Sequence, residues 1–282
     1  MLTITRCTAC MLAFSCLAIT VNAQYYYKDI VVTGQINAGY RALRDNKVSL
    51  VTLTTTAPGP AANAEITLQQ TVYPAQKLVV TYTKTPDAGE SWLKSYYNEN
   101  ALLVQTTDST QEIVTKSVYQ YANDRLASIS SKSVPVNSAS ETEVHQWSYN
   151  GSGQPLKMIK IRNNNDSTVV SFMPDEQGNT GEEKAVRNKV SLGTTFYYFD
   201  AQHRLTDVAR YNKKADRILP NYIFEYNEGT LPAQMMLVPE GSNEYQIWKY
   251  VYNQQGLKEK EICYNKQKQL VGTVSYVYTF GK

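Results

Sequence analysis

Two pairs of neighbouring acids are the residues whose type and spacing could support hydrolysis. Asp175 stands next to Glu176, and Glu182 stands next to Glu183. A glycoside hydrolase needs two carboxyl groups that flank one glycosidic bond, so a glycan-active hydrolase is one function that these acids allow. Adjacent acids in polar turns are more commonly a solvated surface. We therefore predict no catalytic residue and expect that the chain is not an enzyme.

The two histidines give weaker indications of chemistry. His145 precedes Trp147 and Tyr149 in a strand-like stretch, where a surface or cross-strand role is expected. His203 stands in a turn at a position that glycine holds in similar stretches, which is typical of a residue with positive φ. The chain has no H-x-x-x-H, no glycine-rich phosphate loop and no nucleophile elbow. We predict no metal site and no cofactor.

Three tryptophans could bind a ligand by stacking. Trp92, Trp147 and Trp248 each lie in a predicted strand. Exposed aromatic rings on a β surface can stack on sugar rings or on a partner protein, whereas buried ones pack in the core or in cross-strand ladders. These three residues are the candidate ligand contacts, and the partner would be a protein or a glycan.

A recurring sequence unit positions these residues. Each copy begins with an aromatic residue, the anchor, which is usually followed by Asn or Asp and, five to seven positions on, by Leu. The copies begin at intervals of 24 to 28 residues, which indicates a repeat architecture. They span residues 73–78, 97–102, 121–126, 149–156, 174–178 (degenerate), 199–205, 226–231 and 252–257.

The composition of the unit predicts paired strands. Asn, Asp and Gly tolerate the left-handed backbone of tight turns, and Tyr, Phe and Val suit a pleated, half-buried surface. A second turn lies between successive anchors, so each period holds two strands and two turns. The predicted fold is all-β: an antiparallel meander of repeated hairpins, arranged as an open sheet, a spiral or a barrel, with one short N-terminal helix.

The stretch 199–205, FDAQHRL, resembles the Tyr-Asp-x-x-Gly-Arg-Leu signature of the YD-repeat (Rhs-type) family. Phe199 takes the Tyr position, Asp200 the Asp, His203 the Gly, Arg204 the Arg and Leu205 the Leu. The resemblance covers roughly residues 70–280, and the other copies keep only parts of the signature. It implies an extracytoplasmic β-repeat scaffold without catalytic residues.

Residues 1–23 resemble a secretory signal. Arg6 is their only charge, residues 11–20 form an apolar core, and Val21-Asn22-Ala23 is a small-residue cleavage site. The apolar run is short for a membrane span. We therefore expect export to the periplasm, the cell surface or the exterior, with lipid attachment at Cys16 as an alternative.

Cysteine usage agrees with an exported chain of this kind. Three of the four cysteines, Cys7, Cys10 and Cys16, lie in the predicted leader. Only Cys263 would remain after cleavage, so no intramolecular disulfide is expected.

The rest of the chain divides into two predicted parts. Residues 24–62 form an N-terminal cap, with an extended stretch at 24–32, a helix at about 34–46 that covers an exposed strand edge, and a loop at 57–62. Residues 63–282 form the β-hairpin repeat domain. Within it, residues 130–141 are a predicted polar connection and residues 175–193 a solvated excursion.

Charge and strand patterning restrict the function. The formal net charge of +3 is too small to indicate a nucleic-acid partner. An outer-membrane β-barrel is an alternative, because the strands have a suitable length. However, Lys249 shares a face with Val251, and Lys160 shares a face with Met158, which is costly against lipid. The favoured function is a secreted or cell-envelope, non-catalytic scaffold that binds a protein or a glycan.

Overall fold

The structure is a computed structural model that describes residues 25–58, 66–213, 215–239 and 242–281. One α-helix, α1, spans Lys28–Asp45. In the described ranges it is followed by eighteen β-strands. In chain order, β1 to β18 are Val48–Thr56, Thr67–Tyr73, Leu78–Thr85, Gly89–Tyr97, Leu103–Ser109, Ile113–Ala122, Arg125–Pro135, Glu141–Tyr149, Pro155–Arg162, Asp166–Pro174, Thr180–Arg187, Val190–Phe199, Leu205–Asn212, Arg217–Tyr226, Pro232–Leu237, Gln246–Tyr252, Lys258–Asn265 and Leu270–Phe280.

The strands form a closed barrel. Each strand pairs antiparallel with the strands that precede and follow it in the chain, as β2 does with β1 and β3. The ring closes where β1 pairs with β18, from Val48 opposite Phe280 to Thr56 opposite Thr273. The predicted all-β meander of hairpins is confirmed, and of the three arrangements that the sequence left open it is the barrel. A closed barrel has no free strand edge.

The anchors of the repeat occupy one structural position. Tyr97, Tyr149, Phe199, Tyr226 and Tyr252 are the last residues of β4, β8, β12, β14 and β16. Because every even-numbered strand runs in the same direction, the turns that follow the anchors all lie at one end of the barrel. We call this end the motif end and the opposite one the far end.

The motif turns have the backbone geometry that their residues predict. In the turn 200–204, Oδ1 of Asp200 accepts hydrogen bonds from the backbone N–H of Gln202 at 2.9 Å and of Arg204 at 3.0 Å. His203 has φ of +59°, and its equivalent Gly256 has φ of +73°. Next to the turn, the pairing of β12 with β13 shifts register between Tyr198 and Phe199, which is typical of a β-bulge. His203 therefore has the backbone role that the repeat pattern predicts.

Hydroxyl groups of the anchors join neighbouring hairpins. Three anchor tyrosines donate a hydrogen bond to the carbonyl of a leucine just after the preceding motif turn. The pairs are Tyr121 with Leu103 at 2.9 Å, Tyr149 with Leu126 at 2.7 Å, and Tyr226 with Leu205 at 2.8 Å. The repeat thus contributes a cross-hairpin tie as well as a turn.

Helix α1 begins earlier than the sequence predicted. The prediction placed a helix at 34–46 after an extended stretch at 24–32, but the helix already begins at Lys28. The β-branched residues Ile30 to Val32 favour a strand when propensity alone is considered. Here the backbone N–H groups of Tyr26 and Tyr27 bind a buried carboxylate, which holds the entry to the helix. Tertiary contacts therefore override the local preference.

Helix α1 does not cover a strand edge, and that prediction was wrong because the barrel has no edge. The segment 25–45, which we call the plug, instead lies within the ring and contacts strands on different sides of it. Its ring contacts are Tyr25 with Tyr197 of β12 at 6.0 Å, Tyr26 with His145 of β8 at 6.0 Å, and Tyr40 stacked on Tyr97 of β4 at 3.7 Å between centroids. The plug sits close to the motif end, next to the anchors.

Two predicted irregular segments are regular strands. β7 continues through residues 130–135, and β11 occupies Thr180–Arg187. Both stretches are rich in polar residues, which were interpreted as loop. Polar side chains lie on both faces of these strands, so the hydrophobic alternation that marks a half-buried strand is weak there.

One strand of the predicted N-terminal cap lies in the barrel wall. β1, Val48–Thr56, is paired with β2 on one side and β18 on the other. The predicted signal at 1–23 and most of the loop 57–62 lie outside the described residues. Division into a cap and a repeat domain stays a prediction.

Candidate functional site

Glu183 anchors the plug to the barrel wall. Its side chain is buried on the inner face of β11, with 2% of the residue exposed. Its Oε2 accepts hydrogen bonds from the backbone N–H of Tyr26 at 2.8 Å and of Tyr27 at 2.9 Å, and from the hydroxyl of Tyr197 at 2.6 Å. Burial raises the pKa of Glu183, although these hydrogen bonds act in the opposite direction. Glu183, which the sequence suggested as a candidate acid for hydrolysis, therefore holds the plug in place through these hydrogen bonds.

The other candidate acids are not grouped around one point. Glu182 and Glu183 are consecutive in β11, so their side chains point to opposite faces of the wall. Oδ1 of Asp175 accepts backbone N–H groups of Gln177 at 2.9 Å and Asn179 at 2.8 Å, which closes a motif turn. Glu176 lies in that turn and is exposed. Neither sequence pair presents two carboxyl groups to one glycosidic bond.

A second anchor of the plug is ionic. His145, which was expected on the surface or in a cross-strand pair, is buried on the inner face of β8. Its Nδ1 lies 2.5 Å from Oδ2 of Asp29 in the first turn of α1, and its Nε2 lies 3.0 Å from Oε1 of Glu143. Lys160 completes the group, with Nζ 2.7 Å from Oε2 of Glu143.

The ionic anchor shifts the pKa values of its members. Burial disfavours the charged imidazole, but hydrogen bonds to Asp29 and Glu143 and the charges of both acids raise the pKa of His145 to about 9. Burial likewise disfavours the charged form of Glu143, yet its contacts with His145 and Lys160 lower its pKa to about 2. His145 is therefore an imidazolium at neutral pH and bridges the helix to the wall.

The three candidate tryptophans occupy two environments. Trp147 stacks on Phe172 at 5.1 Å inside the barrel, with 7% of its surface exposed. Trp248 lies in the apolar core near the plug, with 4% exposed. Trp92 is 38% exposed and contacts the ring of Tyr82 at 5.3 Å. Ligand contact by these residues stays a prediction, and Trp92 is the tryptophan of these three that lies on the outer face of the barrel.

Trp92 belongs to a surface that we call the outer strip. Cross-strand pairing places its residues in two adjacent rows on the outer face of β3 to β7. One row is aromatic and apolar, and the other carries lysines. The rows are Tyr82, Trp92, Ser109, Val114 and Val134, and beside them Lys94, Thr107, Lys116 and Lys132.

The inner face of the same strands is lined with hydroxyl groups. Ser117 of β6 hydrogen-bonds Ser131 of β7 at 2.7 Å, and Thr115 hydrogen-bonds Ser133 at 3.0 Å. Asp108 of β5 also faces inward, and burial raises its pKa. On these strands the interior near the far end is thus polar, whereas the motif end of the barrel holds the plug and much of the apolar core.

A cavity of about 310 Å³ lies at the motif end, between the plug and the turns of β6 to β9. Aromatic rings and Arg125 contribute to its wall. Its lining residues are Tyr27, Ile30, Thr33, Gly34, Asn37, Tyr121, Asp124, Arg125, Leu126, Tyr149, Gly153 and Pro155. The hydroxyls of Tyr121 and Tyr149 are already bound to backbone carbonyls.

Other chemistry has little support in the part of the chain that the structure describes. No group of three His, Cys, Asp or Glu side chains is arranged there to hold a metal ion. Cys263 is a buried thiol, and burial raises its pKa to about 12, so it stays protonated at neutral pH. None of the described helices is long and apolar enough to cross a membrane.

Comparison with known proteins yields similarity to solved structures at low sequence identity. No family model and no curated protein matches the chain. A porin-like protein from Bacteroides uniformis is 10% identical, with a TM-score of 0.41, over 83% of this chain and 97% of that one. A porin-like protein from Bacteroides vulgatus is 8% identical, with a TM-score of 0.26, over 82% and 98%.

The crystal structure titled TcdB2-TccC3-Cdc42 is also similar, at 13% identity and a TM-score of 0.33. The match covers 73% of this chain and 11% of that chain. This chain therefore spans only a small part of that much longer protein.

Proposed function

We propose that the chain is a non-catalytic binding barrel, built from YD-repeat-like hairpins, that works in an aqueous compartment of the cell envelope or outside the cell. The observation that carries this proposal is the position of its lysines. Lysine side chains project from the outer face of the barrel on β4, β7, β9 and β16, where a membrane barrel would meet lipid.

The outer lysines are spread around the wall. Lys94 of β4, Lys132 of β7, Lys157 of β9 and Lys249 of β16 are all exposed. A lysine on the lipid face of a barrel costs roughly 2–4 kcal/mol at the bilayer midplane. Lys160 shares a face with Met158, as the sequence indicated, but that face is the inner one, because Met158 is buried and Lys160 pairs with Glu143. Lys157 is the lysine of β9 that points outward. The combined cost is unfavourable for insertion.

The position of the plug favours a scaffold function and disfavours a channel function. It crosses the motif end, where both polar anchors and apolar contacts hold it against the wall. A continuous water path from end to end would require its displacement. The candidate acids support the same conclusion with respect to hydrolysis, because Glu183 holds the plug and Asp175 closes a turn.

Export rests on the predicted leader, and the binding role rests on the outer strip. The predicted leader supports a location beyond the cytoplasm. The outer strip combines exposed aromatic and basic side chains, which suits a glycan or a protein surface. The resemblance to YD repeats agrees with an extracytoplasmic scaffold.

Fractionation of expressing cells tests the proposal. Without detergent, we expect the chain to stay in the supernatant when membranes are pelleted after salt and carbonate washes, and purified protein to add no conductance to planar bilayers. A known outer-membrane barrel from the same cells is the control for complete pelleting. Recovery of the chain only in detergent, together with discrete conductance steps, would support the outer-membrane alternative and refute the proposal.

A further inference from the structure

We propose that the outer strip binds a linear acidic polysaccharide, with the sugar rings on Trp92 and Tyr82 and the acidic groups on Lys94, Lys116 and Lys132. This inference rests on the proposed function and gives its ligand a chemical class. Two independent properties of the strip support the same ligand: its outward-facing rings, of which Trp92 is exposed and Tyr82 half-buried, and its unneutralised charge.

The charge of the strip is the first property. Lys116 of β6 and Lys132 of β7 are direct cross-strand neighbours. Like charges that face each other across two strands destabilise a sheet. Among the described residues neither lysine has an acidic partner, nor does Lys94, and all three are exposed. The nearby acid of this face, Glu90, pairs with Lys84 at 3.1 Å. An anion that bridges the lysines would relieve their repulsion.

The rings form the second property. Trp92 and Tyr82 lie directly opposite each other on the outer face, with centroids 5.3 Å apart. A ring pair that lies on an exposed wall offers apolar faces of the kind that stack on the C–H faces of sugars. Val114 and Val134 extend the apolar row toward β7, and both are more than two-fifths exposed. A phosphate or a small anion would make no use of this row.

The spacing of the strip fits a polymer that runs across the strands. Lys94 and Lys116 stand two strands apart, which is about 10 Å, comparable to the length of a disaccharide unit. Lys132 stands one strand further. The aromatic row lies beside the lysine row, two residues away along each strand, or about 7 Å. Sugar rings and their acidic substituents could therefore contact both rows at once.

Affinity for polygalacturonate oligomers, measured by calorimetry on the soluble full chain, tests the inference. Fully methyl-esterified oligomers of the same length are the neutral control. We expect binding of the acid form that weakens as salt is raised, and at least about tenfold weaker binding of the ester. Equal binding of both forms, or no binding of the acid form, would overturn the inference.

Matched variants locate the site. Lys116→Gln with Lys132→Gln should weaken acid-form binding about tenfold, and Trp92→Ala should do the same. The control is Lys157→Gln with Lys260→Gln, which removes the same charge from exposed positions of β9 and β17 and should leave affinity unchanged. An equal loss in both double variants would show that only net charge matters and would refute the strip as the site.

Vesicles containing anionic phospholipid provide the competing ligand. Binding of the chain to such vesicles, with no binding of polygalacturonate, would replace the polysaccharide by a membrane surface. These outcomes are separate from failure of the proposed function, which would already appear as a requirement for detergent. Circular dichroism of each variant confirms that a loss of affinity is not a loss of fold.

Discussion

The two ends of the plug combine apolar burial and polar contacts in different proportions. At its N-terminal end, backbone N–H groups of Tyr26 and Tyr27 bind Glu183, and Asp29 binds His145. At its C-terminal end, Tyr40 stacks on Tyr97 among Val48, Val51 and other apolar side chains of the largest core cluster. Both ends bury aromatic rings in apolar clusters, but it is the N-terminal end that adds hydrogen bonds to a buried carboxylate and an ionic contact with a buried histidine.

The difference shows how a barrel with a polar interior can retain a helix. Apolar packing supplies free energy but tolerates sliding and rotation, because it has little directionality. Hydrogen bonds to buried carboxylates supply less net free energy, yet they fix position, and their loss leaves buried donors unsatisfied. In the plug, apolar packing supplies most of the free energy of attachment, and the hydrogen bonds fix the position of the helix relative to the strands.

The largest expected effect is at the apolar end. Tyr40→Ala should lower the free energy of unfolding by about 3–5 kcal/mol, because it removes a ring that is 3% exposed and stacked on Tyr97. Tyr40→Phe keeps the ring and is the control, with a much smaller loss. Urea titrations followed by circular dichroism would measure both. Equal stability of Tyr40→Ala and the unmodified chain would show that burial of this ring does not hold the C-terminal end of the plug.

Glu183→Ala should cost slightly less, about 3 kcal/mol, because two backbone donors and the hydroxyl of Tyr197 lose their acceptor in a buried site. Glu183→Gln keeps one acceptor oxygen and should cost less. The neighbouring Glu182→Ala, on the opposite face of β11, is the matched control and should be close to neutral. Proteolysis near residue 25 should be faster in Glu183→Ala. Similar stabilities for the Glu183→Ala and Glu182→Ala variants would contradict the polar anchor.

A pH dependence of about 1–2 kcal/mol is expected from the ionic anchor. Because the pKa of His145 is raised to about 9, its contribution is complete below its ordinary value and is lost as pH rises through about 9. Stability should therefore fall between pH 7 and 9.5. Asp29→Asn should lower stability at pH 7 and flatten this fall, whereas Asp45→Asn, at the exposed end of the helix, should leave the profile unchanged. An unaltered profile in Asp29→Asn would refute the anchor.

The smallest effect concerns the wall that surrounds the plug. Tyr226→Phe removes the hydroxyl that donates to the carbonyl of Leu205 at 2.8 Å and should cost about 1 kcal/mol. Tyr252 is an anchor for which the structure shows no such bond, so Tyr252→Phe is the matched control with little effect. Equal losses from both substitutions would mean that the tie to the preceding hairpin contributes no measurable stability.

Local features of the fold could be predicted from the sequence, and long-range ones could not. The motif turns follow from Asn or Asp at the first position and a left-handed residue such as His203 or Gly256 three positions later, which are local preferences. Closure between β1 and β18 depends on the number of strands and on their stagger around the ring. Neither quantity can be predicted from the type of any single residue. A hairpin repeat is compatible with a sheet, a spiral or a barrel.

The site residues show the same division. Nothing local connects Asp29 with His145 or Tyr26 with Glu183, because more than a hundred residues separate the members of each pair. The lysines of the outer strip could have been found in part, because they alternate with inward residues in β4, β6 and β7. Their juxtaposition required the register of four strands. The exposure of Trp92 and the burial of Trp147 and Trp248 likewise depended on which face of each strand points inward.

Amide hydrogen exchange of the intact chain tests the enclosed plug most directly. The backbone N–H of Leu103 donates to Oδ1 of Asn37 in α1 at 2.8 Å, and those of Tyr26 and Tyr27 donate to Glu183. If the helix lies inside the barrel, these three amides should exchange as slowly as central strand amides. Exchange at the rate of the exposed motif turns would contradict the account.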